Sequence, residues 1–205
     1  MGIVNLSPDS FSGDGVINPD LALKQVEGFI AADVDIVDLG AASSRPGSKS
    51  LSPEEELTRL LPTLKAVRNE FPKLCISIDT YRSEVAEESL ALGANWINSI
   101  WSFEKDSTLL DVVIKNDCPV VLMHNTSDQA KKNESAKLGN YYSSSASDNS
   151  IQAIYKYFVI TTQKAIAAGL DSNQIIIDPG LGFGKTVEEN LAIMRDLPTL
   201  SLIHI

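Results

Sequence analysis

The chain has 205 residues, of which 43% are hydrophobic and 21% charged, with a formal net charge of −10 at pH 7. This length can bury a sizeable core and no linker-like stretch interrupts it, so we expect one domain over residues 1–205. The negative net charge disfavours a nucleic-acid partner, because proteins that bind nucleic acids use Lys and Arg side chains to neutralise the phosphates. The absence of a bilayer-length apolar run or a leader-like start predicts a cytoplasmic protein without a membrane partner.

Short apolar runs alternate with segments of helical period along the chain. The runs are GIVN, VDIVDLG, CISIDT, NWINSI, PVVLMH and QIIIDPG. The predicted helices that follow them span residues 19–32, 53–70, 82–92, 106–116, 150–168 and 187–196. Strands rich in Val and Ile on both faces, each followed by a helix, predict an α/β protein with a parallel sheet covered by helices.

Local signals define where several of these helices begin and end. Asn18 precedes a proline in the first helical position, and Ser52-Pro53-Glu54-Glu55 has the form of a capping box. Gly93 and Gly169 stand where a helix ends in a residue of positive φ. The polar stretch 127–149 predicts a mobile loop.

Every predicted strand carries a polar residue at its end. These residues are Asn5, Asp38, Asp79, Asn98, His124 and Asp178. A TIM (βα)8 barrel builds its site from all of its strand ends, whereas an open doubly wound sheet concentrates ligands at one switch point. The pattern therefore favours the barrel. Because the chain holds six such strands, or seven if its tail pairs, we expect a barrel that is incomplete at the C-terminus.

Asp79, Asn98 and Asp178 are the candidates for ligand binding. Carboxylates and an amide can together offer acceptors and donors to the edge of a planar heterocycle. The alternative is structural, since Asp79 precedes a helix and Asp178 heads a turn, where aspartate is a common cap. Arg45, in the loop SSRPGS, can meet an anion or an aromatic acid, or can be an ordinary solvated arginine.

Other candidate motifs are excluded or have a structural interpretation. GLGFGKT at 180–186 lacks the glycine that a phosphate-binding loop needs six residues before its lysine, because Pro179 stands there. His124 has no second histidine placed beside it to form a zinc site, so we interpret it as structural. Cys75 and Cys118 are expected to be small buried hydrophobic residues.

Six motifs in order resemble those of one known family. NLSPDSFS, DLGAASSRPGS, SIDT, WINSI, VVLMH and DPGLGFGKT resemble the successive strand-end motifs of the dihydropteroate synthases, from Gly2 to about Leu200. The resemblance implies a transferase of folate biosynthesis and a sulfonamide target. Its substrates would be 7,8-dihydropterin-6-ylmethyl diphosphate and p-aminobenzoate, and its products dihydropteroate and diphosphate. It also allows a homodimer of the full-length protein.

The same resemblance assigns roles to individual residues. Asp79, Asn98 and Asp178 would hold the pterin edge and, with Arg45, carry the catalysis. The remaining assignments are Asn5 for Mg2+ on the diphosphate, Ile100 and Met123 for the pocket walls, Phe11, Ser44 and Pro46 for loops around p-aminobenzoate, and Phe183 and Lys185 for a loop that contacts both substrates. Departure of diphosphate leaves cationic character beside the pterin ring, so electrostatic stabilisation suffices and no protein nucleophile is required.

Two alternatives remain open. Corrinoid-linked pterin methyltransferases share the Asp/Asn/Asp pocket, although the NxxPDSF loop favours the synthase. A non-catalytic pterin-binding fragment is the other alternative, because the chain stops before the family's Ser-Arg-Lys and Arg-x-His strands. We therefore expect this chain alone to keep pterin binding better than turnover.

Overall fold

The computed structural model describes residues 1–7, 18–42, 51–127 and 148–204. Phe11, Ser44, Arg45 and Pro46 lie outside these ranges, as does most of the predicted loop at 127–149. Within the described ranges six strands alternate with six α-helices, as predicted. None of the helices in this part of the chain is both long and apolar enough to cross a membrane.

The element bounds agree closely with the sequence pattern. The strands are β1 (Gly2–Asn5), β2 (Ile36–Gly40), β3 (Cys75–Asp79), β4 (Trp96–Ser99), β5 (Val120–Met123) and β6 (Ile175–Asp178). The helices are α1 (Pro19–Ala31), α2 (Pro53–Glu70), α3 (Ser83–Ala91), α4 (Leu109–Lys115), α5 (Ile151–Ala167) and α6 (Val187–Asp196). The tail, Leu197–His204, forms a 3₁₀ segment and not a seventh strand.

The predicted helix caps are confirmed. Asn18 Oδ1 accepts the backbone N–H of Asp20 at 2.8 Å. In the capping box, Ser52 Oγ accepts the Glu55 N–H at 3.2 Å, and Glu55 Oε2 accepts the Ser52 N–H at 2.8 Å. Gly93 and Gly169 have φ values of 95° and 113°, as expected for residues that end helices.

Helix α4 begins three residues later than predicted. The carboxylate of Asp106 accepts the backbone N–H of Thr108 at 3.0 Å and that of Ser83 at 2.7 Å. Such side-chain bonds to nearby backbone compete with helical geometry. The chain therefore turns around Asp106 before the helix starts at Leu109.

The chain divides into two compact units. The first comprises residues 1–99 and 103–120, and the second comprises residues 100–102 and 121–205. In the first unit, β1 to β4 lie parallel and side by side in chain order. In the second, β5 and β6 are neighbours, and the His124 N–H donates to the Asp178 carbonyl at 3.0 Å. A single domain over 1–205 stays a prediction.

One face of the first unit's strands packs against helices. Val4, Leu39, Ile78 and Ile97 are successive register partners, and each is fully buried. Gly2 shares this face, and a Cβ there would lie 2.6 Å from ring carbons of Phe29 in α1. This close approach of helix to strand leaves no room for a side chain at residue 2.

The opposite face is polar toward the carboxyl ends of the strands, where the sequence pattern placed polar residues. Asn5, Gly40, Asp79 and Asn98 are successive register partners on this face. Asp38 lies on the same face two residues before Gly40, inside β2 and not at its end as the sequence pattern suggested. The polar residues thus form two adjacent levels and not a single rim.

Candidate active site

The upper polar level depends on a glycine at its centre. A Cβ added to Gly40 would lie 3.2 Å from both the Cβ and the Oδ2 of Asp79, the next residue in the row. That spacing is tighter than ordinary van der Waals contact. A side chain at residue 40 would therefore force the Asp79 side chain to shift by a few tenths of an ångström, and its absence keeps space open on this face.

Below this level, Asp38 and Asn98 form a hydrogen bond that crosses β3. Asn98 Nδ2 donates to Asp38 Oδ2 at 3.0 Å. Asp38 is only 2% exposed, whereas Asn98 and Asp79 keep part of their surface exposed. The buried Asp38 carboxyl thus supports Asn98, and both Asn98 and Asp79 keep surface that a ligand can reach.

Three carboxyl groups, those of Asp79, Asp38 and Glu56, lie near one another. Burial raises the pKa of the Asp79 carboxyl well above its ordinary value, and the nearby Asp38 and Glu56 carboxyls raise it further. Burial also raises the pKa of Asp38, against opposing effects of the Ser77 hydroxyl and the Asn98 amide. Strongly perturbed carboxyls clustered on one face are typical of functional sites. The arrangement suits a ligand that offers N–H donors to these oxygens.

A buried ion pair anchors the end of β3 beside this cluster. Thr80 Oγ1 donates to Glu56 Oε1 at 2.8 Å, and Arg82 Nε lies 3.3 Å from Glu56 Oε2. Arg82 Nη2 also donates to the Leu51 carbonyl at 2.7 Å. The N-cap residue of α3 is Arg82, with no side-chain cap, so Asp79 is not the cap of that helix. The functional interpretation of Asp79 is therefore favoured over the capping alternative.

In the second unit, the glycine-rich loop after β6 folds around Lys185. The Lys185 ammonium is fully buried and donates to the carbonyls of His124 at 2.9 Å, Gly180 at 2.8 Å and Phe183 at 3.2 Å. Burial lowers its pKa to about 8, against opposing effects of Asp178 and Glu189. The contacts of this lysine explain how the loop is held.

The three glycines of this loop all adopt positive φ, with values of 68°, 84° and 71° at Gly180, Gly182 and Gly184. A Cβ on Gly180 would overlap the His124 carbonyl, and one on Gly184 would overlap the backbone at Thr126. A Cβ on Gly182 would meet no atom within 4 Å. Glycine is thus required at two of these positions by packing as well as by conformation.

The other predicted pocket residues of this unit are Asp178, Phe183, Ile100 and Met123. Asp178 Oδ1 accepts the Gly180 N–H at 2.7 Å, so this aspartate does head a turn, as its structural interpretation expected. Asp178, Phe183 and Ile100 are partly exposed, whereas Met123 is 3% exposed. The convergence of Asp178 with the other two predicted pterin ligands stays a prediction.

His124 is a buried structural residue in this unit. Its ring meets that of Tyr157 edge-on at 4.9 Å, and its Nδ1 has no hydrogen-bond partner among the described residues. Burial, together with the Lys185 charge, lowers its pKa to about 4. The histidine therefore stays neutral at physiological pH.

This shift predicts an acid-sensitive stability. Because the unfolded chain binds a proton at His124 below about pH 6.5 and the folded chain only below about pH 4, stability is present above pH 6.5 and falls as the pH drops toward 4. The loss is at most about 3 kcal/mol. Urea unfolding from pH 4 to 7 should show a smaller loss in His124→Gln than in the unsubstituted chain. If the stability of the two proteins fell by the same amount over this pH range, the prediction would be wrong.

The described ranges contain no cluster of three or more His, Cys, Asp or Glu placed to hold a metal ion. Cys75 and Cys118 are free thiols. Burial raises the pKa of Cys118 to about 11, so this thiol is unreactive at neutral pH. Asn5, at the end of β1, is partly exposed and offers one neutral amide oxygen.

Residues 1–204 match a family model described as pterin binding enzyme, and the chain belongs to that family. It is 40% identical over 198 residues to the dihydropteroate synthase of Clostridium beijerinckii, covering 96% of this chain and 67% of that protein. It is 36% identical over 202 residues to the Bacillus subtilis dihydropteroate synthase, covering 98% and 65%. The chain thus spans about two thirds of the length of these relatives.

Solved structures give the same result. The dihydropteroate synthase of Clostridium difficile, crystallised with pteroic acid, superposes with a TM-score of 0.83 at 35% identity, covering 99% of this chain and 72% of that one. The Yersinia pestis enzyme in complex with a sulfonamide drug gives a TM-score of 0.87 at 33% identity, covering 100% and 71%. The α/β barrel class and the relationship to the dihydropteroate synthases, which are transferases, are therefore confirmed.

Proposed function

We propose that this chain provides the pterin-binding part of a dihydropteroate synthase. The reaction joins 7,8-dihydropterin-6-ylmethyl diphosphate to p-aminobenzoate and releases diphosphate. The single observation that carries the proposal is the polar face of β1 to β4, on which Asn5, Asp79 and Asn98 occupy one row above a buried Asp38. Such a face in a member of the pterin-binding family supplies the acceptors that a pterin edge requires.

Asp79 and Asn98 suit opposite parts of that edge. A carboxylate accepts two hydrogen bonds from an amino group and an adjacent ring N–H, and an amide can both accept and donate. Asp178 is proposed as the third ligand, with Ile100 and Met123 as apolar walls. Because Asp79 lies in a cluster of carboxyls, donors on the ligand also relieve repulsion among these groups.

The metal is proposed to arrive with the substrate. Mg2+ prefers phosphate oxygens and water to a cage of protein ligands, and Asn5 at the end of β1 would add one amide oxygen to them. When bound, Mg2+ would stabilise charge on the departing diphosphate. The chain's own carboxylates would stabilise the cationic character that develops on the pterin side.

Residues proposed for p-aminobenzoate are Phe11, Ser44, Arg45, Pro46 and Phe183. The first four stand outside the described residues, and Phe183 is partly exposed in the loop after β6. Since the Lys185 ammonium contacts three backbone carbonyls, we propose that this lysine acts by holding that loop and not by direct contact with substrate. A cytoplasmic location and a homodimer of the longer protein are further proposals.

The pocket assignment can be tested by Asp178→Asn. This change replaces a carboxylate oxygen by an N–H group that faces a ligand N–H, which costs about 1–3 kcal/mol. We expect calorimetric titration with 6-hydroxymethylpterin to show affinity reduced by a factor of about 5 to 150. Asp171→Asn is the matched control, since Asp171 is an exposed N-cap where asparagine serves equally well. Unchanged pterin binding in Asp178→Asn would exclude the assignment.

Turnover separates this proposal from its alternatives. The synthase requires diphosphate release that depends on both p-aminobenzoate and Mg2+. A non-catalytic pterin-binding protein would bind 6-hydroxymethylpterin without releasing diphosphate. A corrinoid-linked methyltransferase would instead use a methylated pterin. The NxxPDSF sequence that follows β1 favours the synthase over this alternative.

A further inference from the structure

We propose that Asp38 is a positioning residue that sets the orientation of the Asn98 amide in the pterin site. The inference rests on the proposed function, because it concerns how one pterin ligand is presented. Asp38 was one of the polar strand residues in the sequence pattern, but neither the pattern nor the family resemblance gave it a role.

The geometry joins Asp38 directly to one of the proposed pterin ligands. Asn98 Nδ2 donates to Asp38 Oδ2 at 3.0 Å, although the two residues stand on strands separated by β3. Both side chains must therefore reach across Ser77 and Asp79, which belong to that intervening strand.

An amide beside a ligand needs such a partner. The oxygen and nitrogen of an asparagine side chain have nearly the same size, so packing alone distinguishes the two orientations poorly. In its ionised form the Asp38 carboxylate only accepts, so it bonds only to the nitrogen of Asn98, and this hydrogen bond itself favours the ionised form against the effect of burial on the Asp38 pKa. Asp38 therefore holds Nδ2 on its own side and leaves Oδ1 of Asn98 to accept an N–H from the ligand.

The burial of Asp38 makes this constraint strong. At 2% exposure its carboxylate has little access to water, and an unpartnered buried charge is costly. Rotation of the Asn98 amide would leave Asp38 Oδ2 facing the amide oxygen, with loss of the charged hydrogen bond. The preference for one orientation therefore follows from the position of the carboxylate.

A merely structural role would have different consequences. If Asp38 only filled space between the strands, its isosteric replacement by asparagine would change stability and leave pterin affinity unaltered. If it orients Asn98, Asp38→Asn removes the constraint, because the introduced amide can offer either an oxygen or an N–H group to Asn98.

A charge-exchange double-mutant cycle tests the proposal. The variants are Asp38→Asn, Asn98→Asp and the double variant that carries both. Asn98→Asp alone places two carboxyls within hydrogen-bond distance of each other. In the double variant the amide at position 38 can donate to the carboxylate at position 98, which restores the hydrogen bond in reverse and still presents an acceptor oxygen to the ligand.

We expect each single variant to bind 6-hydroxymethylpterin at least about tenfold more weakly than the unsubstituted chain in calorimetric titration. The double variant should bind within about threefold of the affinity of the unsubstituted chain. If the two substitutions acted independently, their losses would multiply to about a hundredfold. Asp35→Asn, an exposed residue just before β2, is the control and should bind normally. Multiplicative losses in the double variant would overturn the proposal.

A second measurement does not depend on the ligand. In 15N NMR spectra the Asn98 side-chain NH2 signals should move as Asp38 titrates, and this movement should vanish in Asp38→Asn. If the unsubstituted chain binds no pterin but the NMR coupling is present, the proposed function fails while the pairing of Asp38 with Asn98 stands. If pterin binds and the coupling is absent, the positioning role is wrong.

Discussion

Lys185→Met is expected to lower the free energy of unfolding by about 3–5 kcal/mol. The methionine keeps an apolar stem like that of lysine but removes the ammonium that bonds the carbonyls of His124, Gly180 and Phe183. These buried acceptors then lose a charged donor, and no water can easily replace it because residue 185 is fully buried. Urea denaturation with an unchanged m-value would measure the loss.

The control for this variant is Lys164→Met. Lys164 lies exposed near the end of α5, so the same chemical change there should alter stability by less than about 0.5 kcal/mol. If the two methionine variants were equally stable, the carbonyl contacts of Lys185 would contribute nothing to the fold. Loss of stability only at 185 would establish the lysine as the element that holds the loop after β6.

Gly180→Ala and Gly182→Ala form a second test within the same loop. Both glycines have positive φ, so alanine at either position bears a conformational cost of about 1–2 kcal/mol. Only at Gly180 does the added Cβ overlap another group, the His124 carbonyl. We expect Gly182→Ala to lose about 1 kcal/mol and Gly180→Ala to lose at least about 3 kcal/mol or to fail to fold.

Thermal and urea unfolding of the two alanine variants would give these differences directly. Because both variants make the same substitution at a glycine of positive φ, most of their difference reports the steric contact. Equal losses would mean that the approach of the Gly180 backbone to His124 does not constrain the loop. A Gly182→Ala variant that loses about 1 kcal/mol of stability but binds pterin normally would show that this middle glycine serves the turn and not the ligand.

Much of the fold follows from local sequence signals. The capping residues Asn18 and Ser52 act within three residues of their partners, so their roles can be derived from the sequence alone. The strand ends could be placed because parallel strands joined by helices expose their carboxyl ends together. Asp79 and Asn98 were predicted in this way, and both lie on the polar face of the first unit.

Other features depend on contacts between distant residues. Glu56 stands within a run of three glutamates that looks like an ordinary first helical turn, yet it is buried and pairs with Thr80 and Arg82. The hydrogen bond between Asp38 and Asn98 joins residues 60 positions apart. No local pattern distinguishes such residues from solvated ones, because their partners are brought together only by strand order and register.

Lys185 also offers a chemical means to observe motion of the loop after β6. The neutral amine of a lysine is the form that reacts with acylating reagents, and opening of the loop would expose it. Full burial keeps that amine from reagents while the three carbonyls hold it. The rate of acylation at this one lysine, read by mass spectrometry against the exposed Lys164, therefore measures how often the loop opens.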